Sequence, residues 1–321
     1  MHPLAALYGG VVRARNAGYD HGVLRARRLR VPVISIGNLS VGGAGKTPFV
    51  ILLGEMLKRR GIHFDVLSRG YGRETRGVAV VHPWGSVRDF GDEPLLIARR
   101  LEVPVVVGEN RYAAGRVAES RFGTQLHLLD DGFQHRGLAR DFDIVLLTPE
   151  DARDRLLPAG RLREPLASLA RADAAVLTGG ASSDSFPLAG KAVWRARRGI
   201  VPKDVPPQPV AFCGIARPQN FYLQLRTAGI EYVAEATYRD HHFYSEQDVR
   251  DLLALKARSG AGGFVTTEKD AINLGGRFGE LKPLAVVPVR MELEDAEHCL
   301  DSLLQVVAAR RGLPLAAQVS K

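Results

Sequence analysis

A chain of 321 residues, 45% hydrophobic and 25% charged, has the makeup of a folded protein of about two domains and excludes a disordered or fibrous chain. No apolar run reaches the roughly 18 residues needed to cross a bilayer, and the opening residues do not read as a secretory signal, because arginines follow their short apolar stretch and no basic segment leads it. The net charge of +9 predicts an anionic partner, while Cys213 and Cys299 stand far apart with no metal or disulfide pattern, as in a reducing compartment.

The positive charge is uneven: residues 1–30 hold Arg13, Arg15, Arg25, Arg27, Arg28 and Arg30 against Asp20. Leu4, Leu7, Tyr8, Val11 and Val12 fall on one helical face. An apolar face followed by a basic segment suits a helix lying on an anionic membrane. It equally suits a surface helix packed on its own domain, and Gly9 and Gly10 weaken either helix by about 1 kcal/mol each. Nucleic acid is the poorer partner, since no aromatic residues alternate with these arginines.

From residue 31 the chain alternates. Strands are expected over 31–36, 63–68, 78–81, 103–107, 126–130 and 144–148, with helices over 48–60, 94–101 and 111–121. Continuous apolar strands separated by helices predict an α/β fold with a parallel sheet covered on both faces. Gly179, Gly180 and the prolines at 202, 206, 207 and 209 read as a linker over 180–209. A second, smaller α/β set follows, with strands over 210–213, 263–267 and 284–289 and helices over 218–228, 246–256 and 295–310. The expected organisation is a basic segment 1–30, a nucleotide-binding domain 31–190 and a smaller domain 191–321 closing over a cleft.

Between the first strand and the first helix lies Ser40-Val41-Gly42-Gly43-Ala44-Gly45-Lys46-Thr47. Glycines there let backbone N–H groups curl around phosphate oxygens, the lysine reaches the β- and γ-phosphates, and the Thr47 hydroxyl suits Mg²⁺. Ser40 stands where the usual pattern has glycine. The loop predicts ATP and Mg²⁺ as ligands but does not separate a kinase from an ATPase switch acting on a protein or nucleic-acid partner. No Asn-Lys-x-Asp motif for guanine occurs, and Val41 replaces the lysine of the dimerising ATPases.

The apolar run 126–129 ends in Asp130-Asp131, an arrangement that holds Mg²⁺ opposite a phosphate loop. Asp92, in Gly91-Asp92-Glu93-Pro94, is either a helix cap or a general base that takes a proton from an attacking hydroxyl. Asp240-His241-His242 offers a histidine that can orient a carboxylate. Arg69, Arg73, Arg111, Arg161 and Arg163 stand at loop positions suited to neutralising phosphoryl oxygens.

Taken with Leu67-Ser68-Arg69-Gly70-Tyr71-Gly72, Asp130-Asp131-Gly132-Phe133-Gln134-His135, Leu162-Arg163-Glu164-Pro165 and Thr266-Thr267-Glu268-Lys269-Asp270-Ala271, these segments resemble the tetraacyldisaccharide 4'-kinase family in order along nearly the whole chain. The resemblance implies transfer of the ATP γ-phosphate to the 4'-hydroxyl of a tetraacylated disaccharide 1-phosphate, giving lipid IVA. It implies a peripheral protein on the cytoplasmic face of the bacterial inner membrane, acting on a lipid disaccharide at an anionic membrane surface, without nucleic acid and as a monomer. It also implies Asp92 as base and His241 as its partner, with His242 still open. Lys46 and Arg163 are expected at the phosphates, and Thr47, Asp130, Asp131 and Glu164 at the metal. The part played by 266–271 stays open between nucleotide contact and helix capping.

Overall fold

The computed structural model describes residues 3–312, and the expected alternation runs along them. Helix α1 (Pro3–Asp20) leads into β1 (Val33–Asn38), α2 (Lys46–Arg59), β2 (Phe64–Ser68), β3 (Ala79–Val80), α3 (Val87–Phe90), α4 (Asp92–Leu101), β4 (Val105–Val107) and α5 (Arg111–Arg121). There follow β5 (Leu126–Asp130), β6 (Phe142–Leu147), β7 (Ala174–Leu177), β8 (Ala192–Ile200), β9 (Val210–Cys213), α6 (Pro218–Thr227), β10 (Ala234–Thr237) and α7 (Glu246–Ser259). The chain continues through β11 (Phe264–Thr267), α8 (Glu268–Leu274), β12 (Leu284–Val287), β13 (Val289–Leu293) and α9 (Ala296–Arg311).

Nine strands form one sheet in the order β13-β8-β7-β6-β1-β5-β2-β4-β3, parallel except for its two outermost pairs. Its central strand β1 is buried along its whole length. Ile34 and Ile36 point into one core with α2, α4 and α9, while Val33 points into another with Leu29 and the α5 residues Ala114 and Ala118. Covering on both faces removes any need for polar alternation, which is why these strands read as unbroken apolar runs.

Helix α2 buries Phe49, Val50, Leu53, Met56 and Leu57, each worth roughly 1.5–3 kcal/mol relative to exposure. On the same helix, Gly54 lets α4 lie very close: a methyl group at Gly54 would stand 2.5 Å from Leu101 Cδ1. Helix α4 carries Asp92 in its first turn, so this contact helps fix where Asp92 stands.

A second, four-stranded parallel sheet runs β10-β9-β11-β12. Helix α6 covers one face with Phe221, Tyr222 and Leu225, and α7 covers the other with Val249 and Leu252.

The boundary expected near residue 190, and the linker expected over 180–209, fall differently in the structure. Strand β8 pairs with β7 in the large sheet and with the returning β13, and α9 packs on the large sheet's core. The small body is therefore an insertion over about residues 201–288, not a tail over 191–321. Strand β8 does alternate, burying Trp194 and Ala196 between exposed Arg195 and Arg197, but the prolines after it dominate the local signal. The expected extents 1–30 and 191–321 also reach residues 1–2 and 313–321, outside the described residues.

Helix α1 docks by one edge of the expected apolar face only, through Val12 and half-buried Tyr8, whose hydroxyl donates to the Arg163 carbonyl at 3.0 Å. Gly9 and Val12 are buried, with Gly9 against Leu156, while Leu4, Leu7 and Val11 remain largely exposed. Several of the early arginines are held by the protein itself. Arg15 donates to the Gln134 carbonyl, Arg27 stacks on Tyr112, and Arg28 and Arg30 pair with Asp141 and Glu119.

Candidate active site

The loop after β1 takes the form its glycines predict. Gly42, Gly43 and Gly45 have φ of 77°, 61° and 87°, left-handed values that favour glycine. Gly45 is the N-cap of α2, and Thr47 is buried in its first turn. The loop is braced from outside by 161–163: the Val41 N–H donates to the Arg161 carbonyl at 2.8 Å and the Arg163 N–H to the Leu39 carbonyl at 2.7 Å. That strap delivers the Arg163 side chain to the site, where its Nη1 donates to Asp131 Oδ2 at 2.9 Å.

Lys46 is gripped on two sides. Its Nζ donates to Asn38 Oδ1 at 2.9 Å and lies 3.3 Å from Asp131 Oδ1. Fully buried Asn38 in turn donates to the Ser40 carbonyl at 2.7 Å, joining the last residue of β1 to both ends of the loop. Sequence reasoning gave Asn38 no role. The only signal was an amide at the end of a strand just before a phosphate loop.

The two acids after β5 differ in environment. Asp130 is buried, accepts from Ser68 Oγ at 3.0 Å through Oδ2, and has no partner for Oδ1. Burial, with Glu93 and Asp131 nearby, pushes its pKa up to about 7. Asp131 sits in the left-handed region at φ 49°. Its own burial would raise its pKa, but Lys46 and Arg163 outweigh that and hold it at about 2. Thr47, Asp130 and Asp131 line one cleft of about 570 Å³ with Lys46 and Arg163. The orphaned Oδ1 of Asp130 is the kind of donor a hard cation takes, and a magnesium ion needs only one or two carboxylates beside phosphate and water oxygens. Among the described residues no cluster of three or more His, Cys, Asp or Glu side chains forms a self-contained metal site.

Glu164, expected at the metal, is placed elsewhere. Its carboxylate is buried and spanned by both Arg171 nitrogens, at 3.0 and 3.2 Å, with Asn16 of α1 donating at 2.7 Å. Adjacent residues of an extended strap face opposite ways, so Arg163 reaches the cleft and Glu164 anchors α1.

Asp92 faces the second body. It is buried at the first turn of α4, and its Oδ2 meets His241 Nδ1 at 2.8 Å, with Asn273 Nδ2 at 3.3 Å. Burial would raise the Asp92 pKa, but the His241 bond and the nearby Lys269 lower it to about 2. Burial would lower that of His241, but the Asp92 bond raises it above its ordinary value. Gly91, not Asp92, is the N-cap of α4, and Asp92 Oδ1 accepts only from the adjacent Glu93 N–H at 2.8 Å. His242 turns away: it contacts Asp248 at 3.1 Å and stacks on Tyr238. The two-histidine ambiguity thus resolves geometrically to His241.

Residues 266–271 cap a helix and tie the bodies together. Thr267 caps α8, and Asp270 is buried, accepting from Tyr244 Oη at 2.8 Å and the Gly214 N–H at 2.7 Å. Lys269 donates to Glu93, and Glu268 accepts from Arg100 at 2.8 Å, so both reach α4 of the large-sheet body. Thr267, Glu268 and Lys269 also line the cleft. Arg69 lines it too, and buried Arg111 has its pKa lowered to about 10 by burial and by the Arg69 charge.

A family model described as tetraacyldisaccharide-1-P 4'-kinase matches residues 1–308. A curated tetraacyldisaccharide 4'-kinase of Koribacter versatilis is 51% identical over 97% of this chain and 100% of its own length. One from Aquifex aeolicus is 39% identical over 85% and 89% of the two chains. The crystal structure of the Aquifex aeolicus enzyme in complex with ATP superposes with a TM-score of 0.78 at 35% identity, covering 95% of this chain and 97% of that one.

Proposed function

The chain belongs to the tetraacyldisaccharide-1-P 4'-kinase family, and from that premise we propose how its cleft phosphorylates the 4'-position of the lipid A precursor. The switch-type ATPase, open on the phosphate loop alone, finds no support in these matches. ATP binds along 40–47, in keeping with the ATP complex of the Aquifex aeolicus relative. The 4'-hydroxyl approaches from the side of Asp92. One observation carries the reading: Asp92 and His241, from two different bodies, meet at 2.8 Å over the cleft that holds Lys46.

Asp92 accepts the hydroxyl proton as that oxygen attacks the γ-phosphorus. His241 holds the carboxylate ionised and aimed, because burial alone would favour its protonated form. Lys46 and Arg163 offset the charge that spreads over the phosphoryl oxygens. Thr47, Asp130 and Asp131 would hold Mg²⁺, which when bound neutralises β- and γ-phosphate charge. Asn38 and Asp131 keep the Lys46 ammonium from folding back along α2.

The lipid stays in its bilayer. Leu4, Leu7 and Val11 are 59%, 67% and 62% exposed on one side of α1, and Val23 adds a further exposed apolar side chain. Inserting such side chains gains up to roughly 1.5–3 kcal/mol each, and each nearby free arginine about 1 kcal/mol on an anionic surface. No helix among the described residues is long and apolar enough to cross a membrane. We read the protein as a monomer bound peripherally at the cytoplasmic face of the inner membrane, with no nucleic-acid partner.

The test is transfer of γ-labelled phosphate from MgATP to tetraacyldisaccharide 1-phosphate in mixed micelles. Asp92→Ala is expected to lower kcat by about 10²–10⁴ with ATP affinity kept. Near-normal turnover in that variant would reduce Asp92 to a structural residue.

A further inference from the structure

Arg217 sits where the small body touches the phosphate loop. A methyl group at Gly43 would lie 2.8 Å from Arg217 Cδ and 2.9 Å from its Nε, and one at Gly42 would lie 3.0 Å from Ala216 Cβ. The loop's two middle glycines are thus in direct contact with residues 216–217, just before α6. A side chain at either glycine would hold the small body off.

The guanidinium is only partly satisfied. Its Nη1 reaches Glu150 of the large-sheet body at 3.3 Å, while Nε and Nη2 are buried with no hydrogen-bond partner. Arg198 on β8 is close enough for repulsion from Arg217 to lower its pKa, after the larger effect of burial, and its Nε is likewise buried without a partner. Both arginines line the cleft with Lys46. Two arginines with unmet buried donors, lining one cleft with a glycine-rich loop suited to phosphates, make a surface that recognises an anion.

Resting on the kinase reading above, we propose that Arg217 acts as an arginine finger in cis, carried onto the transferring phosphoryl group by closure of the small body. The acceptor oxygen forms its bond to the γ-phosphorus as the bond to the β,γ-bridging oxygen breaks. The electron pair of the broken bond stays on ADP, and the hydroxyl proton goes to Asp92. The free N–H donors of Arg217 meet charge developing on the bridging and γ-phosphoryl oxygens, beside Lys46 and Arg163. Closure then completes two features at once: Asp92 gains His241, and the loop gains Arg217.

The experiment uses the full chain. Phosphate transfer to the lipid acceptor and binding of Mg·ADP with and without aluminium fluoride, a planar mimic of the moving phosphoryl group, are measured for the parent, Arg217→Ala, Arg217→Lys and Glu150→Gln. Arg217→Ala is expected to lower kcat about 10³-fold, the lower end for such arginines, and to abolish the tightening of ADP binding by aluminium fluoride while leaving ADP affinity within threefold. Arg217→Lys is expected to recover little, because a single ammonium cannot span two oxygens. Glu150→Gln, which loses only the ion pair, is expected to stay within threefold of the parent. Arg217→Ala with parental kcat, or with intact fluoride tightening, overturns the finger. So does Glu150→Gln falling as far as Arg217→Ala, since the arginine would then be a structural tie. A parent that transfers no phosphate removes the kinase reading itself, and the finger with it.

Discussion

Asn38 Oδ1 accepts a hydrogen bond from Lys46 Nζ at 2.9 Å, and this contact sets the direction of the loop's one ammonium. Asn38→Ala is expected to leave the strand in place and free Lys46 to swing toward Asp131. A hydrogen bond to a charged group is worth about 1.5–3 kcal/mol. The expected loss is therefore about 10- to 100-fold in kcat/KM for ATP, read by steady-state kinetics with Tm as the control for folding.

In the proposed reading Asp130 holds magnesium, and its raised pKa would then give that binding a pH dependence. A metal ligand must be ionised, so protons compete for this carboxylate below its pKa of about 7. Magnesium affinity of the ADP complex, titrated calorimetrically, is expected to be flat above pH 8 and to fall by up to about tenfold per pH unit below 7. Asp130→Asn is expected to bind weakly and without that slope.

The Asp92–His241 contact between the two bodies carries a pH dependence with opposite signs at its two ends. Asp92 has a depressed pKa, so its contribution is present above its ordinary 3.8 and lost as pH falls through about 2. His241 has a raised pKa, so its contribution is complete below its ordinary 6.5 and lost as pH rises through the higher folded value. The gap in Tm between the parent and His241→Asn is expected to be widest between about pH 4 and 6.5 and to shrink by pH 9. A gap that grows with pH would mean the imidazole is bound neutral.

The exposed side of α1 lets the proposed membrane binding be tested apart from stability. Replacing Leu4, Leu7 and Val11 together by serine is expected to shift Tm little, since exposed substitutions usually stay within about 0.5 kcal/mol each. Sedimentation with vesicles containing anionic lipid is expected to fall at least tenfold, and the apparent KM for the lipid to rise. Val12→Ser, on the buried side, should do the reverse, lowering Tm with vesicle binding retained by the folded fraction.

The sheet core and the loop were legible because each is dictated locally. Doubly covered strands must be continuous runs, and a phosphate cradle needs glycines before a lysine. Asp130, Asp131, Arg163 and His241 were legible as residues through their motifs, and the Asp92–His241 pairing through the family resemblance, but the contacts of Arg163 with Asp131 and of Lys46 with Asn38 were not. That Glu164 turns from the cleft to Arg171 depends on the twist of a strap whose partner lies more than a hundred residues away. Asn38 and Arg217 gave no pattern of their own, because each matters through what the fold brings beside it. Strand β8 was hidden by the prolines that follow it, and with it the fact that the small body is inserted rather than appended.

That insertion leaves and re-enters the large sheet through β8 and β13, which are paired antiparallel with Ile200 opposite Val289. A body tethered by two strands zipped side by side cannot swing freely. Such a tether favours twisting about the ribbon they form, which would leave the proposed closure close to a single degree of freedom. The closure proposed above would then seat the same side chains on every turnover, and selectivity for a bulky lipid acceptor would become a matter of whether the ribbon can complete its twist with that acceptor in the jaws.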